Sequence, residues 1–185
     1  MERLLPSNTA LLVVDIQQRL AAAMPPDWLA ELEKNAAILL EAAAALGVPV
    51  VVSEQYPKGL GPTVPSIAAK LASRGIVPMA KMCFDACSEL AISRALTETG
   101  ARNVVVLGME THVCVFQTAR ELVKRGYATY VVADAVASRT EENRRLGLSL
   151  CERAGAVVTA TETVAFDLLE RAGTPEFKAV SKLVR

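Results

Sequence analysis
The stretch Gly108-Met109-Glu110-Thr111-His112-Val113-Cys114-Val115 holds the only histidine of the chain, two residues before a cysteine. Two chemistries use that pair of residue types, nucleophilic catalysis and metal binding. On a helix, side chains two apart point about 200° away from each other. A helix starting near Thr111 therefore turns His112 and Cys114 to opposite sides, which disfavours a shared proton. One histidine with Cys83-x-x-x-Cys87 and Cys114 matches no zinc spacing, and no metal is expected. His112 then reads as a surface or interface residue of the first helical turn. Cys114 is the stronger candidate by itself. Free N–H groups and the dipole at a helix start favour a thiolate and can receive an oxyanion. It still needs a base and a countercharge. Asp15 can take the thiol proton, and Lys81 beside it favours both ionised groups. Lowering the thiol pKa by about two units takes roughly 2.7 kcal/mol, the expected effect of one ammonium plus a helix start. Each residue alone has a plainer role: an inert buried cysteine, a strand-end turn and a surface lysine.

Bringing Asp15, Lys81 and Cys114 together requires a fold that gathers strand ends. Apolar runs at 10–15, 49–54 and 103–108 read as strands, as do weaker ones at 76–81, 128–134 and 156–161. Most are continuous rather than alternating, as expected for strands buried on both faces. Helical segments at 27–47, 87–100, 112–126 and 141–155 fall between strands, and another, 174–184, closes the chain. Asp27 and Gly47 sit where an N-cap and a C-terminal glycine belong, and Thr174-Pro175 opens the last helix. Alternation of strand and helix implies a parallel sheet with helices on both faces. Ligands meet such sheets at the carboxyl ends of the strands. Asp15, Glu54, Lys81, the 108–114 turn and Asp134 all fall there. The proline-rich segment 53–66 reads as a structured loop over the site.

The 185 residues suit a single domain, 1–185, with a sizeable core; 52% are hydrophobic. Lys+Arg and Asp+Glu balance at 20 each. That balance favours neither nucleic acid nor an anionic membrane, and low net charge leaves self-association unopposed. The N-terminal apolar run is short and broken by Asp15, unlike a signal peptide. Four cysteines in so large a chain do not form a small disulfide scaffold, so a reduced, cytoplasmic protein is expected.

Three motifs in order, "LLVVDIQ" with Asp15, "KMCFDA" with Lys81 and "VVVLGMETHVCV" with Cys114, resemble the isochorismatase-like cysteine hydrolase superfamily, which includes the nicotinamidases. The later "GYATYVVADAVASR", "GAVVTATETVAFDLL" and "AGTPEFKAVSKLV" resemble its isochorismatase domain-containing branch. The resemblance spans nearly the whole chain. It implies a three-layer αβα fold, with a six-stranded parallel sheet in the order 3-2-1-4-5-6. It also implies an Asp15-Lys81-Cys114 triad. A non-proline cis peptide at Met109-Glu110 is implied with it, aiming the N–H groups of Glu110 and Cys114 at one oxyanion. Metal-dependent nicotinamidases carry Asp-x-His and a further His after the second strand. Here that place reads "SEQYPKGLG", without histidine. No cofactor is expected.

The expected activity is hydrolysis of the C–N bond of a small amide-type substrate through a Cys114 thioester. Alternatives are vinyl-ether hydrolysis of the isochorismatase type, a non-catalytic scaffold of the same fold, and an oxidant sensor using Cys83, Cys87 or Cys114. The superfamily's vinyl-ether enzymes do not use the cysteine, so its presence favours acyl transfer. Gln17, Tyr56, Phe84 and Glu110 are candidates for the pocket wall, with core packing or a solvent-facing turn as their other roles. A homodimer or homotetramer is expected.

Overall fold
The computed structural model describes residues 3–184. Strand β1 (Thr9–Val14) is wholly buried. A single turn, α1 (Gln18–Ala21), and the long α2 (Pro26–Leu46) follow. Strand β2 (Val50–Gln55) leads through α3 (Pro57–Leu60) and α4 (Pro65–Ala72) to β3 (Met79–Lys81). A 3₁₀ turn at Ala86–Ser88, then α5 (Leu90–Glu98), connects to β4 (Asn103–Met109). A π-helical turn, Thr111–Val115, runs into α6 (Phe116–Lys124). The chain ends through β5 (Ala128–Ala137), α7 (Glu141–Arg153), β6 (Val157–Thr159), α8 (Thr161–Leu169) and α9 (Pro175–Val180). All six strands are parallel, in the order β3-β2-β1-β4-β5-β6.

Alternate residues of each central strand feed two apolar layers. Leu11 and Val13 pack with Leu32 and Leu39 of α2 and with Val164 and Leu168 of α8. Leu12 and Val14 pack on the other face with Ile92 and Leu96 of α5, Leu122 of α6 and Cys151 of α7. Each such fully buried aliphatic side chain contributes roughly 1.5–3 kcal/mol. Together they make the sheet a rigid base for what projects from its carboxyl edge. Between β1 and β4 the backbones come so close that a Cβ on Gly108 would lie 1.9 Å from the Val14 carbonyl oxygen. Only glycine fits there.

The elements differ from the sequence reading where local chemistry decides. Strand β3 starts at Met79 rather than at 76, because Pro78 has no N–H to pair and Val77 stands in solvent. Strand β5 runs on to Ala137 past a register shift opposite Val106 and Gly108, so Asp134 lies inside it, not at its end. The Asp134 carboxylate accepts from Thr161 N and Oγ1 at 2.8 and 2.9 Å and thus anchors the start of α8. Strand β6 stops at Thr159, two residues before α8 begins at Thr161. Helix α2 starts at Pro26, and Asp27 sits in its first turn without capping it. Gly47 does end it, at φ +70°. Thr174 caps α9 by accepting from Phe177 N. The segment 53–66 resolves into the end of β2, α3 and the start of α4, and Glu54 faces away into its own ties to Thr63 N and Oγ1, both 2.7 Å. Among the described residues no helix is long and apolar enough to cross a membrane.

Candidate active site
Three strand ends converge. Strand β1 stops at Val14, and Asp15 turns out of it at φ +51°, fully buried. Lys81 is the last residue of β3 and is 1% exposed. Cys114 lies in the π turn after β4, also buried. Single π turns inside helices are frequent at functional sites. The structure brings all three together. Lys81 Nζ stands 2.8 Å from Asp15 Oδ2, with neither side chain reached by solvent. The Cys114 thiol is close enough to both groups for their charges to act on it.

Strand β2 holds this pair from the side. Ser53 Oγ donates to Asp15 Oδ1 at 2.7 Å. Two residues on, Gln55 Oε1 accepts from Lys81 Nζ at 2.6 Å. Lys81 also donates to the carbonyls of Phe84 and Cys83, at 3.0 and 3.1 Å. Three acceptors thus match the three protons of the ammonium. Asp15 Oδ2 is buried and, despite its closeness to Nζ, accepts no hydrogen bond of good geometry. The contact is one of charge, and this oxygen keeps its lone pairs. Sequence reasoning missed Ser53 and Gln55. Their signal was the period of two beyond Val51, which puts both on one face of β2.

The other sequence candidates are placed differently. Gln17 is fully buried, and its amide is spent on backbone: Nε2 donates to Gln55 O and Gly61 O, and Oε1 accepts from Gln55 N. It ties the ends of β1 and β2 and has no free polar atom for a ligand. The Glu110 side chain is largely buried rather than in solvent, and its Oε1 accepts from Arg139 Nε at 2.9 Å. The Met109-Glu110 peptide is cis. Tyr56 and Phe84 belong to no core and carry exposed rings beside the Lys81 loop: Tyr56 N donates to Lys81 O. His112 is half-buried rather than a surface group, with Nδ1 3.1 Å from Ser138 Oγ. Helix α7 presses on the turn through Gly147, where a Cβ would lie 2.7 Å from His112 N. Among the described residues no cluster of three His, Cys, Asp or Glu side chains is set to hold a metal ion.

The resting thiol is not the thiolate expected from a helix start. Burial, and then the Asp15 charge, push the Cys114 thiol up to about 12, and the opposing pull of Lys81 does not offset them. Desolvation of the anion outweighs one ammonium that is already shared with a carboxylate. Burial pushes Cys87 and Cys151 up to about 12 as well. The consequence for stability has a definite sign. A thiol that titrates near 9.0 in the unfolded chain and near 12 in the folded one keeps its proton longer when folded. Its contribution is complete below about pH 9 and is lost as pH rises toward 12, at up to about 1.4 kcal/mol per pH unit per thiol. Urea midpoints should therefore fall between pH 9 and 11, and the fall should be shallower in Cys151→Ala. Equal slopes in the two proteins would contradict the assignment.

The family model for the isochorismatase domain matches residues 9–163. Over 184 residues the chain is 36% identical to isochorismatase domain-containing protein 2 of Bos taurus, covering 99% of this chain and 86% of the relative. The structure of MAR1 ribonuclease from Caenorhabditis elegans superposes with a TM-score of 0.88 at 35% identity, over 99% of this chain and 92% of that one. The YcaC gene product of Escherichia coli, an octameric hydrolase of unknown specificity, superposes with a TM-score of 0.84 at 25% identity, over 92% and 84% of the two chains. The matched region takes in every strand together with Asp15, Lys81 and Cys114, and the chain belongs to the isochorismatase family.

Proposed function
We propose that the protein is a cysteine hydrolase that cleaves the C–N bond of a small amide-type substrate, without a metal or other cofactor. The observation that carries this reading is the buried Asp15–Lys81 contact at 2.8 Å, whose two charges both act on the Cys114 thiol. A charge pair wholly removed from water is costly to build and rarely serves stability alone. Asp15 Oδ2 is the base. It takes the thiol proton as Sγ attacks the substrate carbonyl, and Lys81 offsets the negative charge that passes through the site. The oxyanion that forms is received by the backbone N–H groups of Glu110 and Cys114. Asp15 then returns the proton to the leaving amine, which departs and leaves a thioester. Water, deprotonated by Asp15, hydrolyses the thioester and regenerates the thiol. A thiol that is protonated at rest fits this sequence, because the proton leaves only when an electrophile is present.

The cysteine at this position favours acyl transfer over vinyl-ether hydrolysis. The nematode relative is named a ribonuclease, but an RNA substrate needs cations along its backbone. Here acidic and basic residues are equal in number, and the one histidine is bonded to Ser138. Tyr56 and Phe84 form a wall for a flat substrate at the mouth of the site. Met82, Phe84 and Leu90, exposed in a single chain, support assembly with further copies as a homodimer or homotetramer. Four free thiols support a reducing, cytoplasmic setting. Ammonia release from a panel of small primary amides, and ring opening of small ring imides followed by product mass, test the activity. Turnover of at least one member supports it, and inertness toward all of them, with Cys114 unmodified, would favour the scaffold.

A further inference from the structure
We infer that Gln55 is a positioning residue that keeps a Lys81 proton away from Asp15 Oδ2 and so preserves that oxygen as the base. The inference rests on the function proposed above. The ammonium has three protons and, besides the carboxylate, three acceptors. Two of these, the carbonyls of Cys83 and Phe84, are backbone; Gln55 Oε1, at 2.6 Å, is the only side chain. Without it, the third proton has one neighbour left, Asp15 Oδ2 at 2.8 Å. A carboxylate oxygen that accepts a charged hydrogen bond is a weaker base. Removing Gln55 would therefore engage the oxygen that must receive the Cys114 proton.

Gln55 is itself held so that only one amide orientation works. Its Nε2 donates to Met82 O at 2.9 Å, which leaves Oε1 facing the ammonium. Its backbone is gripped by Gln17, whose side-chain amide accepts from Gln55 N at 2.7 Å and donates to Gln55 O at 3.0 Å. The grip has a structural origin. Pairing of β1 with β2 ends at Val14 and Ser53, where Asp15 turns away at φ +51°. The Gln17 amide stands in for the rung that this turn removes. Gln17, Gln55 and Lys81 thus form a buried relay that starts where the strand breaks to aim Asp15.

The test uses the full chain with two substitutions, and Lys81→Ala as reference. Iodoacetamide labelling of Cys114 is followed by peptide mapping between pH 7 and 9, with the exposed Cys83 as internal standard. Gln55→Glu keeps an acceptor for Lys81 but adds a negative charge beside it. Cys114 should then label about tenfold more slowly relative to Cys83, one pKa unit's worth. Gln55→Leu removes the acceptor. Amide turnover should fall about tenfold in kcat, with KM changed by less than about twofold, the pattern of a weakened base rather than lost binding. If Gln55→Leu does not fold, Gln55→Glu decides. A native labelling ratio in Gln55→Glu, with an altered one in Lys81→Ala, overturns the inference and leaves the site intact. A native ratio in both overturns the role of Lys81 and the inference with it.

Discussion

Cys114→Ala should lose amide hydrolysis by on the order of 10⁴-fold or more in kcat/KM, while Cys151→Ala stays within about twofold of the native protein. The asymmetry follows from placement. Both thiols are buried and pushed up to about 12 by burial. Of the two, only Cys114 is acted on by the Asp15–Lys81 pair. Cys151 sits in the apolar layer between α7 and the sheet, where neighbouring Glu152 acts on it without an ammonium beside it. Alanine in place of either removes one sulfur, and both variants should unfold within a few degrees of the native protein at neutral pH. Ammonia release and thermal melts on the same preparations separate loss of chemistry from loss of fold. Equal activity in the two variants would remove covalent catalysis.

The largest effect on stability is expected at Lys81. Lys81→Met leaves the Asp15 carboxylate in a site without solvent, with Ser53 as its one remaining side-chain donor. It also strips Gln55 Oε1 and two carbonyls of their partner. Breaking a buried pair from one side typically costs about 3–5 kcal/mol, because an uncompensated charge stays behind. In a chain of this length that corresponds to a drop in Tm of roughly 10 °C. The double variant Asp15→Asn, Lys81→Met should recover much of that stability, since no buried charge is left unpaired, and yet stay inactive. Denaturant melts of the two proteins check the first part and ammonia release the second. A double variant no more stable than Lys81→Met would show that the pair is not the source of the cost.

Asp15, Lys81 and Cys114 were legible in the sequence for a topological reason. Continuous apolar runs mark strands buried on both faces, a parallel sheet sends their carboxyl ends to one edge, and polar residues that follow such runs meet there. The same rule failed for Glu54 and Asp134. Glu54 lies on the opposite face of β2 from Ser53 and Gln55, and Asp134 lies within a strand that bulges and runs on to Ala137. Helices α4 and α8 escaped notice because α4 is short and follows a proline-rich stretch, while α8 begins almost directly after β6 without a glycine or proline between them. Spacing cannot show how a side chain spends its hydrogen bonds. Gln17 and Glu110 stand at the right strand ends, but Gln17 gives both its polar atoms to Gln55 and Gly61, and Glu110 gives Oε1 to Arg139. The state of the Cys114 thiol was likewise out of reach, because its sign depends on a burial that composition does not reveal.

Acid-quenched intact mass of the protein, taken seconds after mixing with a small activated amide or ester, tests covalent catalysis by Cys114 most directly. The proposed mechanism predicts one added acyl group, mapped to the peptide that carries Cys114 and released by hydroxylamine. Cys114→Ala should gain none, and Asp15→Asn should gain it far more slowly. An acyl group found only on Cys83, or turnover that persists undiminished in Cys114→Ala, would contradict it.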